Sequence, residues 1–297
     1  MRKPTKPSTS DRPPRRVYAL PPLPDRPVAG HKGLFGRVLI VGGSPAMIGA
    51  PVLAGTAALR CGSGLVQVAM PAAVLPAALS ITPELIGLPL DGRSDRALAQ
   101  ATDAADVIVL GPGMGQSPPA RRCVLRLIAV AKPLVLDADA LNILAAERKW
   151  LRIEAPAVLT PHPGEMKRLA RVLRIDTTAA GSTDDRERLR VALDAARLTR
   201  QTWVLKGHRT VVAAADRVYV NRTGNSSLSK AGSGDVLAGM IGSLIGQGMG
   251  AFDAAVAATC LHGLAGEAAG KKLGMRCVLA RDVIDAIPET VASFRAG

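Results

Sequence analysis

The chain has 297 residues, of which 48% are hydrophobic and 2% aromatic, and its formal net charge is +14. This length and apolar content predict a globular protein whose core is filled by small and branched side chains. The two Trp, two Tyr and three Phe residues argue against a nucleic-acid-binding protein, because such proteins interleave aromatic and basic residues on one folded face.

The first segment of the chain is basic and rich in proline. Residues 1–37 hold nine Lys or Arg against Asp11 and Asp25, so half of the excess charge lies there. Without helical periodicity, this composition predicts a disordered basic arm over residues 1–27, which is either a solvating tail or a weak polyanion contact. We expect one domain over residues 28–297. The N-terminus has no apolar signal segment and the four cysteines have no metal-ligand spacing, so we expect a cytoplasmic protein with reduced thiols.

Beyond the arm, strand-like and helix-like runs alternate. A strand at 37–43 enters a glycine turn, and a helix at 51–61 follows it. Further strands are predicted at 65–70, 84–90, 107–113, 133–141, 157–160 and 203–207. Further helices are predicted at 120–131, after residue 162, and at 184–200, 233–247, 252–269 and 281–294, with a hairpin over 210–221 that turns at Ala215–Asp216.

This alternation predicts the α/β class, with a mostly parallel central sheet covered by helices on both faces. Ligands of such sheets bind beyond the carboxyl ends of the strands. The polar and glycine-rich motifs GGS, GPGMG, DAD, TPHPGE and KGHRT each follow a predicted strand. We therefore expect them to form one shared site.

The uncharged segment from Val236 to Phe252 has nearly the length of a membrane span. It contains five glycines, Gln247 and Ser243, and Asp235 and Asp253 bound it. A spanning helix needs about 20 strongly apolar residues. A buried helix that packs closely on a neighbour is the favoured interpretation, and we expect no membrane association.

The most informative motif is AGSGD, residues 231–235, which leads directly into an apolar helix. Unpaired amides at the start of a helix form an anion site, to which the helix dipole adds. The amides of Gly232, Ser233 and Gly234 are candidates for an anion hole that stabilises a migrating phosphoryl group. Asp235 is either an ordinary first-turn carboxylate or the base that accepts the proton of an attacking hydroxyl.

Three other motifs allow both a structural and a chemical interpretation. His162 stands between two prolines and either caps the following helix or points into the site. Asp137 and Asp139 end a strand, where they can cap a helix or hold a hydrated magnesium ion. Lys206 ends another strand and can pair with phosphate. GPGMG (111–115) lacks the third glycine of a dinucleotide fingerprint, and no GxxxxGK[ST] loop is present.

Together these motifs resemble the carbohydrate-kinase-like family of ADP/ATP-dependent NAD(P)H-hydrate dehydratases. The resemblance runs from about His31 to Ile287 through GRVLIVGGS, VLGPGMG, LVLDADALN, LTPHPGEMKRL, VLKGHRTVV and AGSGDVLAG, in that order. It implies a ribokinase-like fold and a metabolite-repair reaction. In that reaction a nucleotide phosphorylates the ring hydroxyl of the S epimer of hydrated NADH or NADPH (NADHX or NADPHX), and phosphate then leaves.

The resemblance also implies roles for individual residues. Carried over by position, the residues expected to contact the hydrate are Ala50, a glycine of the 111–115 loop (Gly113 or Gly115), His162 and Asp235. Those expected to bind the adenine nucleotide are Lys206, Gly207, His208, Arg209, Thr210 and Gly234. Asp235 is the expected catalytic base.

The resemblance favours ADP over ATP as co-substrate, together with Mg²⁺, although the residues themselves leave that choice open. It also implies a homo-oligomer, which is a tetramer in relatives, and a separate epimerase for the R epimer. A small-molecule kinase of the same fold, acting on a vitamin or sugar hydroxyl, fits the glycine loop and Asp235 equally well. The PHPGE segment separates the two interpretations.

Overall fold

The structure is a computed structural model that describes residues 13–91, 95–147, 152–176 and 184–295. Its strands form one sheet. They are β1 (Arg15–Arg16), β2 (Arg37–Val41), β3 (Leu65–Pro71), β4 (Ile86–Leu90), β5 (Val107–Leu110), β6 (Leu134–Leu136), β7 (Ala157–Leu159), β8 (Thr202–Leu205), β9 (Val211–Ala213) and β10 (Arg217–Val220).

Ten α-helices accompany these strands among the described residues. They are α1 (Gly49–Arg60), α2 (Leu75–Ile81), α3 (Asp95–Ala104), α4 (Pro118–Leu127), α5 (Asp139–Ala146), α6 (Pro163–Leu173), α7 (Asp185–Thr199), α8 (Ser233–Gly246), α9 (Ala251–Leu273) and α10 (Ala280–Ser293). Short 3-10 turns lie at Lys32–Phe35 and Ser226–Leu228.

The strands run in the order β1-β10-β9-β8-β7-β6-β5-β2-β3-β4. Seven of the nine pairings within the described residues are parallel, and the hairpin β9–β10 contributes to both antiparallel ones. The α/β class and the mostly parallel sheet predicted from the sequence are therefore confirmed. The order reverses between β2 and β5, and a crevice beyond the strands' carboxyl ends is expected at such a switch point.

Two hydrophobic clusters cover the faces of the sheet. One joins the strands to α1, α8, α9 and α10, and the other joins them to α3 through α7. Helix α8 lies very close to α1, because a Cβ added at Gly239 would stand 2.0 Å from the carbonyl oxygen of Ala54. Only glycine permits so close an approach. The contact with α1 therefore fixes the position of α8 and of its N-terminus.

The segment before residue 28 differs from the predicted disordered arm. Arg15–Arg16 pairs in parallel with β10, and Val17, Leu20 and Leu23 pack against the core. Arg26 donates from Nη1 to the carbonyl oxygen of Gly62 at 2.7 Å and lies over the ring of Phe35. The prediction of disorder is wrong for residues 13–27, which we call the strap, because their scattered apolar side chains pack against the domain. Residues 1–12 lie outside the described residues.

Most predicted elements are present with boundaries shifted by a few residues. The hairpin turns as predicted, with the amide of Ala214 donating to the carbonyl of Arg217 at 2.9 Å. Helices α2, α3 and α5 were not predicted. Helix α5 starts within DADAL, because the chain leaves β6 after three residues instead of continuing as a strand. Within the described part of the chain, no helix is both long and apolar enough to cross a bilayer.

Candidate functional site

A cavity of about 560 Å³ opens where β6, β7 and β8 end and α8 begins. It joins the 231–235 turn to the loop that carries His162, as the single-site hypothesis requires. It also brings together Asp137, Glu165 and the whole 206–210 segment. The rest of its lining includes Asn221, residues 223–226 and 228–230, and the α9 residues Thr259, His262 and Gly263.

The start of α8 is built to present backbone amides. Gly232 is the N-cap residue with φ +91°, a left-handed conformation that glycine adopts without strain. The first intrahelical bond runs from the amide of Val236 to the carbonyl of Gly232 at 3.1 Å. The amide of Ser233, which was expected in the anion hole, donates to the carbonyl of Lys230 at 3.3 Å. Amides of the first turn have no acceptor within a helix, so that of Gly234 can face an anion beside the positive end of the dipole.

Asp235 lies in this first turn and lines the cavity. Burial raises its pKa from the usual 3.8 to about 7, and the charges of Asp137 and Asp139 push in the same direction. Lys206 opposes that rise. A carboxylate whose pKa lies near neutral pH is well matched to accept a proton from a hydroxyl.

Lys206 crosses the floor of the site. Its Nζ donates to Oδ1 of Asp137 at 2.6 Å, and Oγ1 of Thr160 donates to the same oxygen at 2.7 Å. The Lys206 side chain is 18% exposed and therefore largely buried. Burial alone would lower its pKa, but the carboxylates of Asp137, Glu165 and Asp235 raise it, which keeps the ammonium charged.

The ammonium of Lys206 also faces the glycine turn. A Cβ added at Gly234 would stand 3.2 Å from Nζ of Lys206 and 3.8 Å from Oδ2 of Asp137. Glycine at this position therefore brings the α8 amides and the lysine charge to the same point. Two kinds of positive group converge there, as an anionic phosphoryl group requires.

The 206–210 segment is held from behind by Arg188 of α7. Its guanidinium is buried and donates to the carbonyl oxygens of Leu205, Lys206, His208 and Arg209. Gly207 has φ +144°, and a Cβ there would stand 2.9 Å from Nη2 of Arg188. No sequence pattern pointed to Arg188, which stands among many charged residues of an amphipathic helix.

His162 both caps α6 and lines the cavity. Its Nδ1 accepts hydrogen bonds from the amides of Gly164 and Glu165. In turn, the amide of His162 donates to Oε2 of Glu165 at 2.8 Å. Burial and the nearby charges of Lys206 and Arg168 lower the pKa of His162. The lowered pKa favours the neutral ring, whose side chain is about half exposed and whose Nε2 lies 3.4 Å from Oε1 of Glu165.

Glu165 is almost fully buried beneath this loop. Burial raises its pKa from the usual 4.5 to about 7, an effect to which Asp137 adds and which Lys206 opposes. Its place in the first turn of α6 also suits the helix dipole. The structure shows that it also belongs to the charge cluster around Lys206.

Ala50, Gly113 and Gly115 lie beside this cavity and do not belong to its lining within the described residues. A Cβ on Gly113 would stand 3.0 Å from Cβ of Ala50, so these two positions adjoin. The amide of Gly115 donates to Oδ2 of Asp139 at 2.8 Å. The 111–115 loop is thereby tied to the segment that carries Asp137, close to Asp235.

A second feature that the sequence did not reveal lies under the anion-binding turn. Oγ of Ser233 is 3.2 Å from Nε2 of His262, and both side chains are buried. Burial lowers the pKa of His262 to about 4, so a neutral imidazole fixes the orientation of the Ser233 hydroxyl. In the sequence, His262 is one polar residue within a long Ala/Gly-rich helix.

The side chains of the site suit a magnesium ion only if nucleotide phosphates supply further ligands. The described residues hold no cluster of three or more His, Cys, Asp or Glu side chains that could bind a metal. Asp137 Oδ1 is already engaged by Lys206 and Thr160, and Asp139 Oδ2 by Gly115. Mg²⁺ commonly binds through one or two carboxylates plus substrate phosphates. The donor set therefore suits an ion that enters with a nucleotide and touches Asp137 or Asp235.

Comparisons with known proteins agree on one family. Residues 38–289 match the model of the Carb_kinase family, described as NAD(P)H-hydrate dehydratase. A bifunctional NAD(P)H-hydrate repair enzyme from Moorella thermoacetica is 44% identical over 90% of this chain. An ADP-dependent (S)-NAD(P)H-hydrate dehydratase from Neisseria meningitidis serogroup B is 41% identical over 82% of this chain and 81% of its own length.

A solved structure gives the same result. The ADP/ATP-dependent NAD(P)H-hydrate dehydratase from Bacillus subtilis, co-crystallised with ATP and Mg²⁺, superposes with a TM-score of 0.78 at 31% identity, over 92% of this chain and 95% of that one. The likeness confirms the ribokinase-like fold. The chain spans about half the length of the bifunctional relatives that it matches.

Proposed function

Because the chain belongs to the NAD(P)H-hydrate dehydratase family, we propose that it uses a nucleoside phosphate to dehydrate the S epimer of NADHX and NADPHX. The observation that carries this proposal is that a carboxylate, backbone amides and an ammonium group meet at the start of α8. There the carboxylate of Asp235, the amides of the 232–235 turn and the ammonium of Lys206 border one cavity with His162.

The first step is phosphoryl transfer to the ring hydroxyl of the hydrate. Asp235 accepts the hydroxyl proton, and the oxygen attacks the terminal phosphorus of the nucleotide. The bond from that phosphorus to the bridging oxygen breaks, which releases AMP from ADP or ADP from ATP. The α8 amides and Lys206 stabilise the charge on the equatorial oxygens during transfer.

The second step is elimination. The carbon–oxygen bond to the new phosphate ester breaks and phosphate leaves, the neighbouring ring carbon releases its proton to water, and the double bond of NADH or NADPH returns. Phosphate is a far better leaving group than hydroxide, which is the chemical reason for the first step. When bound, Mg²⁺ supplies charge neutralisation on the nucleotide phosphates.

The nucleotide occupies the part of the cavity bordered by the 206–210 segment. Lys206, Gly207, His208, Arg209, Thr210 and Gly234 remain the proposed nucleotide contacts, and Ala50, Gly113, Gly115, His162 and Asp235 the proposed hydrate contacts. We favour ADP as the co-substrate because the relative from Neisseria meningitidis is named ADP-dependent. The homo-oligomeric state and the cooperation with an epimerase remain predictions.

The experiment that tests this function is the recovery of absorbance at 340 nm from hydrated cofactor. Purified protein, Mg²⁺ and either ADP or ATP are mixed with NADHX or NADPHX, giving four parallel reactions. We expect absorbance to return with ADP, together with one AMP and one phosphate per NAD(P)H formed. A small-molecule kinase would leave the hydrates unchanged, or would yield a stable phosphorylated product without absorbance at 340 nm.

A further inference from the structure

A second groove, of about 550 Å³, lies next to the site and has no part in the function described above. We call it the arginine groove. Helices α5 and α6 and the loop before α4 line it, through Gln116, Asn142, Ala145, Ala146, Arg168 and Arg171. Both charged side chains in this lining are arginines, and they stand one turn apart on α6. The groove is therefore suited to an anion.

Arg168 is held in place before any ligand arrives. Its Nε and Nη2 donate to Oδ1 of Asn142 at 3.1 and 2.8 Å. Asn142 donates from Nδ2 to Asp139 at 3.4 Å, and the other Asp139 oxygen accepts from the amide of Gly115. A hydrogen-bonded chain thus connects the groove to the 111–115 loop. An arginine fixed in this way loses less conformational entropy when it binds a phosphate.

The groove starts where the first cavity ends. Asp137 and Ala138 line the cavity, and Asn142 lines the groove one turn further along the same segment. His162 lines the cavity, and Arg168 and Arg171 follow on the helix that His162 caps. Nη1 of Arg168 lies 3.9 Å from where a Cβ of Gly164 would stand, next to the His162 turn. A ligand that extends past His162 therefore enters the arginine groove.

The substrates together are too large for the first cavity. A cavity of roughly 300–1,000 Å³ holds one drug-sized ligand, whereas the proposed reaction needs a nucleoside diphosphate and a dinucleotide at once. The 206–210 segment and the α8 amides assign the 560 Å³ cavity to the nucleotide and to the hydrated ring. The adenosine half of the dinucleotide must extend beyond that cavity, and the arginine groove adjoins it next to His162.

We propose that the arginine groove binds the adenosine 2′-phosphate of NADPHX through Arg168 and Arg171, which makes the enzyme prefer NADPHX to NADHX. The inference rests on the proposed function, since it names the substrate of that same site. Guanidinium groups form paired, charge-assisted hydrogen bonds with phosphate. NADHX carries a neutral hydroxyl at this position and gains nothing comparable from two arginines.

Arg171→Gln tests the inference, because Arg171 lines the groove and, among the described residues, makes none of the hydrogen bonds that order Arg168. We expect kcat/KM for NADPHX to fall about tenfold through KM, with less than about a twofold change for NADHX and for the KM of ADP. Lys167→Gln is the matched control: it removes a charge from the exposed face of the same helix, outside the groove. It should leave both substrates unaffected.

A binding measurement without turnover accompanies these kinetics. Adenosine 2′,5′-bisphosphate should bind the wild-type protein more tightly than AMP in calorimetry with the first cavity saturated by ADP, and Arg171→Gln should abolish the difference. Equal losses for NADPHX and NADHX, or no loss for either, would overturn the groove assignment. A wild-type protein that converts neither hydrate would instead refute the proposed function.

Discussion

Nζ of Lys206 lies 2.6 Å from Oδ1 of Asp137, at the ends of two strands that come 69 residues apart in the chain. This ion pair forms the floor of the site, directly below Gly234. Its two charges act on Asp235 in opposite directions, since Asp137 raises the pKa of Asp235 and Lys206 lowers it. The pair therefore holds the Lys206 charge beneath the phosphoryl group, and its opposing effects keep the pKa of Asp235 near 7.

Asp235→Asn should remove the base without disturbing its surroundings. We expect turnover of NADPHX to fall about 100-fold or more, while the affinity for ADP in calorimetry stays within about twofold. Asp216→Asn, at the exposed tip of the β9–β10 hairpin, is the matched control and should keep full activity. Wild-type turnover in Asp235→Asn would remove Asp235 from its catalytic role.

The pH profile should report the same carboxylate. The raised pKa of Asp235, about 7, predicts that kcat/KM increases with pH through that value, because the base must be deprotonated. Lys206→Gln removes the charge that lowers this pKa, so the acid limb should move to higher pH by at least about half a unit. Glu165 has a similar pKa, but Glu165→Gln should leave the rise of kcat/KM with pH unchanged. If that rise disappeared in Glu165→Gln, the titrating group would be Glu165 and not Asp235.

Arg188→Lys should disturb nucleotide binding from a distance. A lysine cannot satisfy the four carbonyls that the guanidinium holds, so the 206–210 segment loses its fixed shape. We expect the KM for ADP to rise about tenfold, with kcat at saturating ADP changed less than about threefold. Arg190→Lys, on the same helix with the partly exposed partners Glu187 and Asp194, is the control. An unchanged KM would show that Arg188 only stabilises the fold.

His262 should make the free energy of unfolding fall at acid pH. Its pKa is lowered to about 4 from 6.5, so the unfolded chain binds more protons between these values. Stability is therefore lost as the pH falls from 6.5 towards 4, by up to roughly 3 kcal/mol from this residue. Asp235 and Glu165 have raised pKa values and act in the opposite sense over a similar range.

Urea unfolding at pH 7 and pH 4.5 isolates the histidine. His262→Gln should lose less of its free energy of unfolding between the two pH values than the wild type does. His208→Gln, which replaces an exposed histidine, should behave like the wild type. Identical losses in wild type and His262→Gln would contradict the buried, neutral state of His262.

Much of the fold and of the site could be predicted because their signals are local. Apolar runs followed by glycine or aspartate identified the strand ends, and these ends meet because parallel strands share one edge. Asp235 is a candidate in the sequence because a glycine turn before an apolar helix has only a few physical uses, and it does line the cavity; its role as the base stays a prediction. Asp137, His162 and Lys206 gather in the same cavity for the same topological reason.

The remaining features depend on contacts between distant parts of the chain. Arg188 and His262 look like ordinary helix residues in the sequence, and only the packing of α7 and α9 turns them towards the site. The strap before residue 28 was mistaken for a disordered arm because a two-residue strand has no periodicity. Its pairing with β10 spans about 200 residues, which no local pattern can encode.

The most direct test of the central claim is the fate of the ring oxygen. Hydrating NADPH in ¹⁸O-water labels the ring hydroxyl, and the labelled NADPHX is then converted with ADP in ordinary water. Phosphoryl transfer at the start of α8, followed by elimination, predicts one ¹⁸O atom in every phosphate released, as read by mass spectrometry. Unlabelled phosphate, with the ¹⁸O appearing in water, would contradict transfer to the hydroxyl.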